Sequence, residues 1–221
     1  MNLIKNLIAG LTFAIASLLA LGASAAESPV AGIVSHVQGG ASVQRNALTE
    51  ALSVGKQVLV GDRIVTKKNA RVGLKMSDGG VLKLGAYTVF TVEDYRYSEQ
   101  AGEGKARLFL LKGAMRVITG AIAKLKGRDF TLRTNVVTMG VRGTDFWAGF
   151  YFSDALDVAL FDNTGIYVEN ATGRVEIIRA GEGVTVKGAD MAPSAPIRWG
   201  QQKYDAAVQS VAWEGEREFR K

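Results

Sequence analysis

An all-β domain is what this sequence predicts: short twisted strands and hairpins in a sandwich or partly solenoid-like arrangement, closed by a short C-terminal helix. Three observations carry that expectation. Apolar and polar residues alternate over short runs; Gly, Asn and Asp break those runs, most clearly at an Asp-Gly turn; and Pro29, Pro193 and Pro196 lie outside them, as ladder hydrogen bonding requires.

In chain order, residues 1–25 read as a secretory signal peptide. Lys5 marks a short n-region, Leu7–Leu21 is apolar, and Ala23-Ser24-Ala25 places cleavage after Ala25. An uncleaved anchor is the alternative, since Leu7–Ala26 carries no charge. The chain contains no cysteine, which excludes a lipid anchor, thiol catalysis and Cys-ligated metal. The expected location is the periplasm, with no transmembrane segment once the signal is removed. Residues 26–190 then form the β domain, and residues 191–221 a linker followed by a helix.

Within the domain, Val72, Leu74 and Met76 alternate with Arg71, Gly73 and Lys75, "SDGG" turns the chain, and Leu82 and Leu84 resume the buried face. The same alternation buries Phe130 and Leu132, Val158 and Leu160, Val175 and Ile177, and Val184 and Val186. An internal echo joins the two ends. Gly40–Val43 followed by Gly61-Asp62 resembles Gly165–Val168 followed by Gly181-Glu182, which points to stacked, repetitive construction. "NATG" at Asn170–Gly173 reads as a hairpin turn, with Asn170 and Gly173 taking awkward backbone angles. Beyond the Pro-containing "MAPSAPIRWG", Tyr204, Val208 and Val211 fall at helical spacing, ready to pack on the body or on a partner.

The net charge of +6 is concentrated in one block: Lys105–Arg133 holds eight basic residues against Asp129 alone. Lys112, Arg116, Lys124, Lys126 and Arg128 form a candidate basic face for an acidic glycan or lipopolysaccharide, aided by exposed aromatics such as Trp147, Tyr151 or Trp199. The alternative is the solvated face of a strand ladder, because "RLFLLKGAMRV" mixes the charges with core residues. An exported chain is not expected to meet nucleic acid. His36 is the sole histidine and stands beside the Gly39-Gly40 turn, without ligand-spaced partners. No G-x-S-x-G element is present. The expectation is a non-enzyme without cofactor or metal.

Five segments recur in a specific order: "VLVGDRIVT", "ARVGLKMSDGGVLKLG", "FLLKGAMRV", "FTLRTNVVTMGVRGTDFWAG" and "ENATGRVEIIRAGEGVTV". Together they span most of the chain after the signal, and they resemble the FecR domain family, named for the regulator of iron-citrate uptake. The resemblance implies a periplasmic, β-rich domain without known catalytic residues. In regulator members it passes a signal from an outer-membrane transporter to a cytoplasmic sigma factor. Here the signal peptide leads almost directly into the domain, so the expected form is a stand-alone exported domain without the cytoplasmic anti-sigma segment. Its expected partner is an unidentified envelope protein. Gly61, Asp62, Gly79, Gly113, Gly140, Arg142, Gly143, Thr144, Phe146, Gly181 and Glu182 are its structural signature. In "TMGVRGTDFWAG", Met139, Val141 and Phe146 should flank a tight corner at Gly140 and Gly143. Thr144 and Asp145 should satisfy its N–H groups, and Arg142 should pair with a carboxylate such as Asp145.

Overall fold

Each alternating run becomes a strand with one face turned to a shared interior, because side chains point to opposite faces with a period of two. The computed structural model describes residues 28–216 except Arg128 and Asn163, so the expected signal peptide lies outside the described residues. The strands are β1 (Val30–Gln38), β2 (Ala41–Arg45), β3 (Leu48–Ala51), β4 (Gln57–Leu59), β5 (Arg63–Thr66), β6 (Arg71–Met76), β7 (Val81–Leu84), β8 (Val89–Ser98) and β9 (Glu103–Lys112). They continue as β10 (Ala114–Ile118), β11 (Asp129–Arg133), β12 (Thr138–Val141), β13 (Asp145–Gly149), β14 (Leu156–Leu160), β15 (Ile166–Asn170), β16 (Gly173–Ile177), β17 (Glu182–Val186) and β18 (Ile197–Arg198). A 3₁₀ turn at Ile122–Lys124 separates β10 from β11, and helix α1 (Gln201–Val211) follows β18.

Among the described residues the strands build a sandwich of two nine-stranded sheets. Sheet A runs β18-β17-β14-β13-β10-β7-β6-β1-β4, and sheet B runs β16-β15-β12-β11-β9-β8-β5-β2-β3. Hairpins pass alternately to one sheet and the other. The parallel pair β9/β11 departs from this antiparallel pattern, with Asp129 opposite Lys105. Between them the chain crosses to sheet A as β10, so β9–β10–β11 is a solenoid-like coil inside a stack of hairpins.

The core lies between the sheets. Val72, Leu74, Met76, Leu82 and Leu84 meet it from sheet A, and Phe90, Leu108, Leu110, Phe130 and Leu132 from sheet B. Val158, Leu160, Ile177, Val184 and Val186 are buried with them, while Val175 is half-buried at the margin. The expected β6–β7 hairpin forms with Val72 opposite Leu84 and Leu74 opposite Leu82.

Several local expectations change. The Pro-containing stretch read as a linker contributes β18, whose Ile197 and Arg198 pair with Gly183 and Glu182. Trp147 and Trp199, expected to be exposed, are buried with Ala114, Ala159, Ala207 and Val211 in a second apolar cluster, outside sheet A and beneath α1. There the Trp147 Nε1–H donates to Ser210 Oγ at 2.9 Å, and Val208 and Val211 are buried against the domain itself. A large aromatic closes over a strand only when something covers it, and that cover came from residues distant in sequence. "NATG" does turn the chain, but neither Asn170 nor Gly173 takes a positive φ. Instead the Asn170 side-chain oxygen accepts the N–H groups of Thr172 and Gly173.

Candidate functional site

The signature residues hold the sandwich together by identifiable bonds. Gly61 sits at φ +92° and turns the chain so that Asp62 is fully buried. There Arg45 donates to both carboxylate oxygens at 2.7 and 2.8 Å, and the Leu59 N–H donates at 2.8 Å. Asp62 thereby ties β2, β4 and β5 together. At the other end Glu182 follows Gly181 (φ +82°) and receives Arg179 at 3.2 Å. In the β6–β7 turn, Gly79 takes φ +83° and Asp78 is buried beside it. The Asp78 carboxylate accepts the Tyr95 hydroxyl at 2.6 Å, the Gly80 N–H at 2.9 Å and the Ile122 N–H at 3.1 Å. Burial first, then this carboxylate, pushes the Tyr95 phenol far above its ordinary value, so it stays a donor.

In "TMGVRGTDFWAG", Met139, Val141 and Phe146 are buried. Gly140 lies opposite Tyr167, whose ring occupies the space a Cβ would need. Gly143 takes φ +97°. The Thr144 N–H donates to Thr119 Oγ1 at 2.8 Å, and its hydroxyl donates to the Asp162 carbonyl at 3.2 Å. Arg142 does pair with a carboxylate, but Asp145 is not the one. Arg142 reaches Glu176 at 2.8 Å, and Asp145 receives Arg116 at 2.8 and 2.7 Å. The chain leaves sheet B for sheet A at Gly143, so Arg142, just past β12, stays beside β16 while Asp145 opens β13.

The basic block is divided in the same way. Arg116 lies in sheet A with Asp145. Lys105, Arg107 and Arg133 lie in sheet B beside Asp94, Asp129 and Glu93, at 3.4–3.7 Å. Lys124 and Lys126 are exposed near the 3₁₀ turn, Lys112 ends β9, and Arg128 lies outside the described residues. Four of the block's eight basic residues, Lys105, Arg107, Arg116 and Arg133, are thus paired with carboxylates, Arg116 being the one member of the expected basic face among them. His36 is half-buried on β1, its ring stacked on Trp213 at 4.4 Å, and its Nε2 is buried without a hydrogen-bond partner. It is a strand residue partly covered by Trp213 from the segment after α1. Among the described residues no three His, Asp or Glu side chains converge as a metal site needs.

One rim of the sandwich carries a groove of about 640 Å³, where the β7–β8 and β9–β10 turns meet the β13–β14 loop. Tyr87 and Tyr151 line it and remain 57% and 52% exposed. Asn69, Arg71, Lys112 and Asp154 supply polar groups. A buried threonine pair builds the rim. Thr66 Oγ1 donates to the Gly85 carbonyl at 2.6 Å and accepts the Thr88 N–H at 2.7 Å. Thr88 Oγ1 in turn accepts the Ala114 N–H at 3.1 Å. Gly113 presses so closely on Thr88 that a Cβ there would overlap its backbone. The chain between Gly85 and Thr88 is thus pinned on both sides, and Tyr87 is held at φ +54°. Tyr87 and Thr88 were not legible as site residues; Gly113 was the only signal, as a glycine between two alternating runs.

The family model described as "FecR protein" matches residues 62–180. Two crystal structures of a candidate anti-sigma factor from Parabacteroides distasonis share the fold, each with a TM-score of 0.51, at 16% and 17% identity. The match covers 66% of this chain and 64% of theirs, so the chain spans less than two thirds of their length. At such identity the likeness is one of fold. A comparison with curated proteins returns no match.

Proposed function

The chain belongs to the FecR family, and from that premise we propose that it is a periplasmic, non-enzymatic recognition domain that binds an envelope protein as a sensory adaptor. The observation that carries this reading is the free end of sheet B. Among the described residues β3 is the last strand of its sheet, and all four of its residues, Leu48–Ala51, are exposed. Exposed edges are ordinarily blunted by charge, proline or cover, because their free N–H and C=O groups template a further strand. Here Leu48 and nearby Val54 leave apolar side chains in solvent, 66% and 63% exposed, and Glu50 is occupied by Lys56. A partner segment added as a tenth strand would gain ladder hydrogen bonds and cover Leu48.

The test is a photoreactive side chain at Thr49 in the native cell. A defined adduct with one envelope protein supports the reading; no adduct from Thr49 on irradiation overturns the edge as the binding site. N-terminal sequencing of protein from a periplasmic extract should begin at Ala26, and recovery only from the cytoplasm would refute the location.

A further inference from the structure

We infer that the groove between Tyr87 and Tyr151 is a binding site for an acidic saccharide, independent of the β3 edge. Charge is the first argument. Among the described arginines three are half-buried: Arg45, Arg71 and Arg116. Arg45 and Arg116 each hold a carboxylate with two hydrogen bonds. Arg71 instead donates only to carbonyls, those of Ala70 at 2.9 Å, Ala212 at 3.2 Å and Gln209 at 3.4 Å. Its charge is fixed in place with no carboxylate partner among the described residues, and burial holds the guanidinium below its ordinary value. Lys112 likewise has no ion pair among the described residues. Asp154 is the single carboxylate lining the groove, so two cations outweigh it and an anion is favoured.

Shape and strain are the second argument. Tyr87 is the only aromatic residue with a positive φ among the described residues, the other non-glycine cases being Asn46 and Asn69. Asparagine tolerates that region, whereas a bulky residue there is strained. A backbone cost maintained to present an exposed ring is a feature of binding sites. Tyr87 and Tyr151 offer flat apolar faces suited to the C–H faces of pyranose rings, while Asn69 and Asp154 can meet hydroxyls. The groove's volume lies within the range of small-ligand sites. A hexuronate-containing oligosaccharide combines the required parts: ring faces, hydroxyls and carboxylates.

Calorimetry on the purified protein with hyaluronan tetrasaccharide, and with neutral chitotetraose as control, tests this directly. The acidic saccharide should bind about tenfold or more tightly than the neutral one, and its affinity should fall as salt rises. Tyr87→Asn should weaken binding about tenfold while its Tm stays at or above that of the parent, because the strain is relieved as the ring is lost. Tyr151→Ala, on an exposed loop, is the second variant and should weaken binding similarly. No heat with the acidic saccharide, equal affinity for both sugars, or unchanged affinity in both tyrosine variants would overturn the site. Loss of the Thr49 adduct with saccharide binding retained would sink the protein-partner reading alone.

Discussion

The two sheets present similar apolar faces to one core, yet their outer faces differ in kind. On sheet A, β13 and β14 bury nearly every residue: Phe146, Ala148, Val158 and Leu160 point into the sandwich, while Trp147 and Ala159 point out and are buried again under α1. The cover is bonded as well as packed, since Lys203 of α1 reaches the buried Asp157 at 2.7 Å and lies over the Trp199 ring at 4.2 Å. On sheet B, outward positions of β9 and β11 carry Lys105, Arg107, Thr131 and Arg133, the basic ones matched to Asp129 on β11 and Glu93 on β8. Such a face is already satisfied in water and needs no lid. Outward tryptophan and alanine need one; outward cross-strand charge does without.

Removing the largest covered side chain should break the contrast most sharply. Trp147→Ala should cost about 3–5 kcal/mol in urea unfolding, whereas Phe109→Ala on the open face should cost about 1 kcal/mol. Equal costs would mean that α1 adds no real burial. Next come the ion pairs. Asp145→Ala strands the half-buried Arg116 and should cost about 1.5–3 kcal/mol, while Asp129→Ala, beside the exposed Arg107, should cost about 0–1 kcal/mol. At the crossing between the sheets, Gly143→Val forces a branched side chain to φ +97° and should cost about 1–3 kcal/mol, read as a lowered urea midpoint. A Gly143→Val protein of unchanged stability would deny that this corner is structural.

The smallest effect is a pH dependence on the open face. The hydrogen bond from Arg96, with Lys105 and Arg107 nearby, holds Asp94 below the usual carboxylate range. A depressed folded value means stability that is present above the unfolded pKa and is lost as pH falls through the folded one. Asp94→Asn should therefore lower stability near pH 7 by less than about 1 kcal/mol, leave it nearly unchanged below the folded pKa of Asp94, and so flatten the acid limb of the stability curve.

Alternation made the strands legible, and the Asp-Gly signal made the β6–β7 hairpin legible, because both depend on neighbours within a few residues. The corner at Gly143 was visible for the same reason. Its ion pairs were not: Arg142 and Asp145 are close in sequence but lie on either side of the crossing between the sheets, and only strand pairing supplies Glu176 and Arg116 as their partners. Trp147 and Trp199 misled because aromatic residues read alike whether exposed or covered. Tyr87 carried no sequence signal, since its conformation is imposed through the neighbouring Thr88 by Thr66 at the end of β5 and Gly113 between β9 and β10.

By itself, then, the sequence determined the all-β class, the interior residues, the tight turns and the family, all set by short-range periodicity and turn chemistry. Tertiary structure alone decided which sheet each strand joined, how the basic block was shared out, which outer face was roofed, and where a groove opened. Those outcomes depend on pairings between residues far apart in the chain, such as Trp147 with Ser210 or Arg71 with Ala212, and no local pattern encodes them.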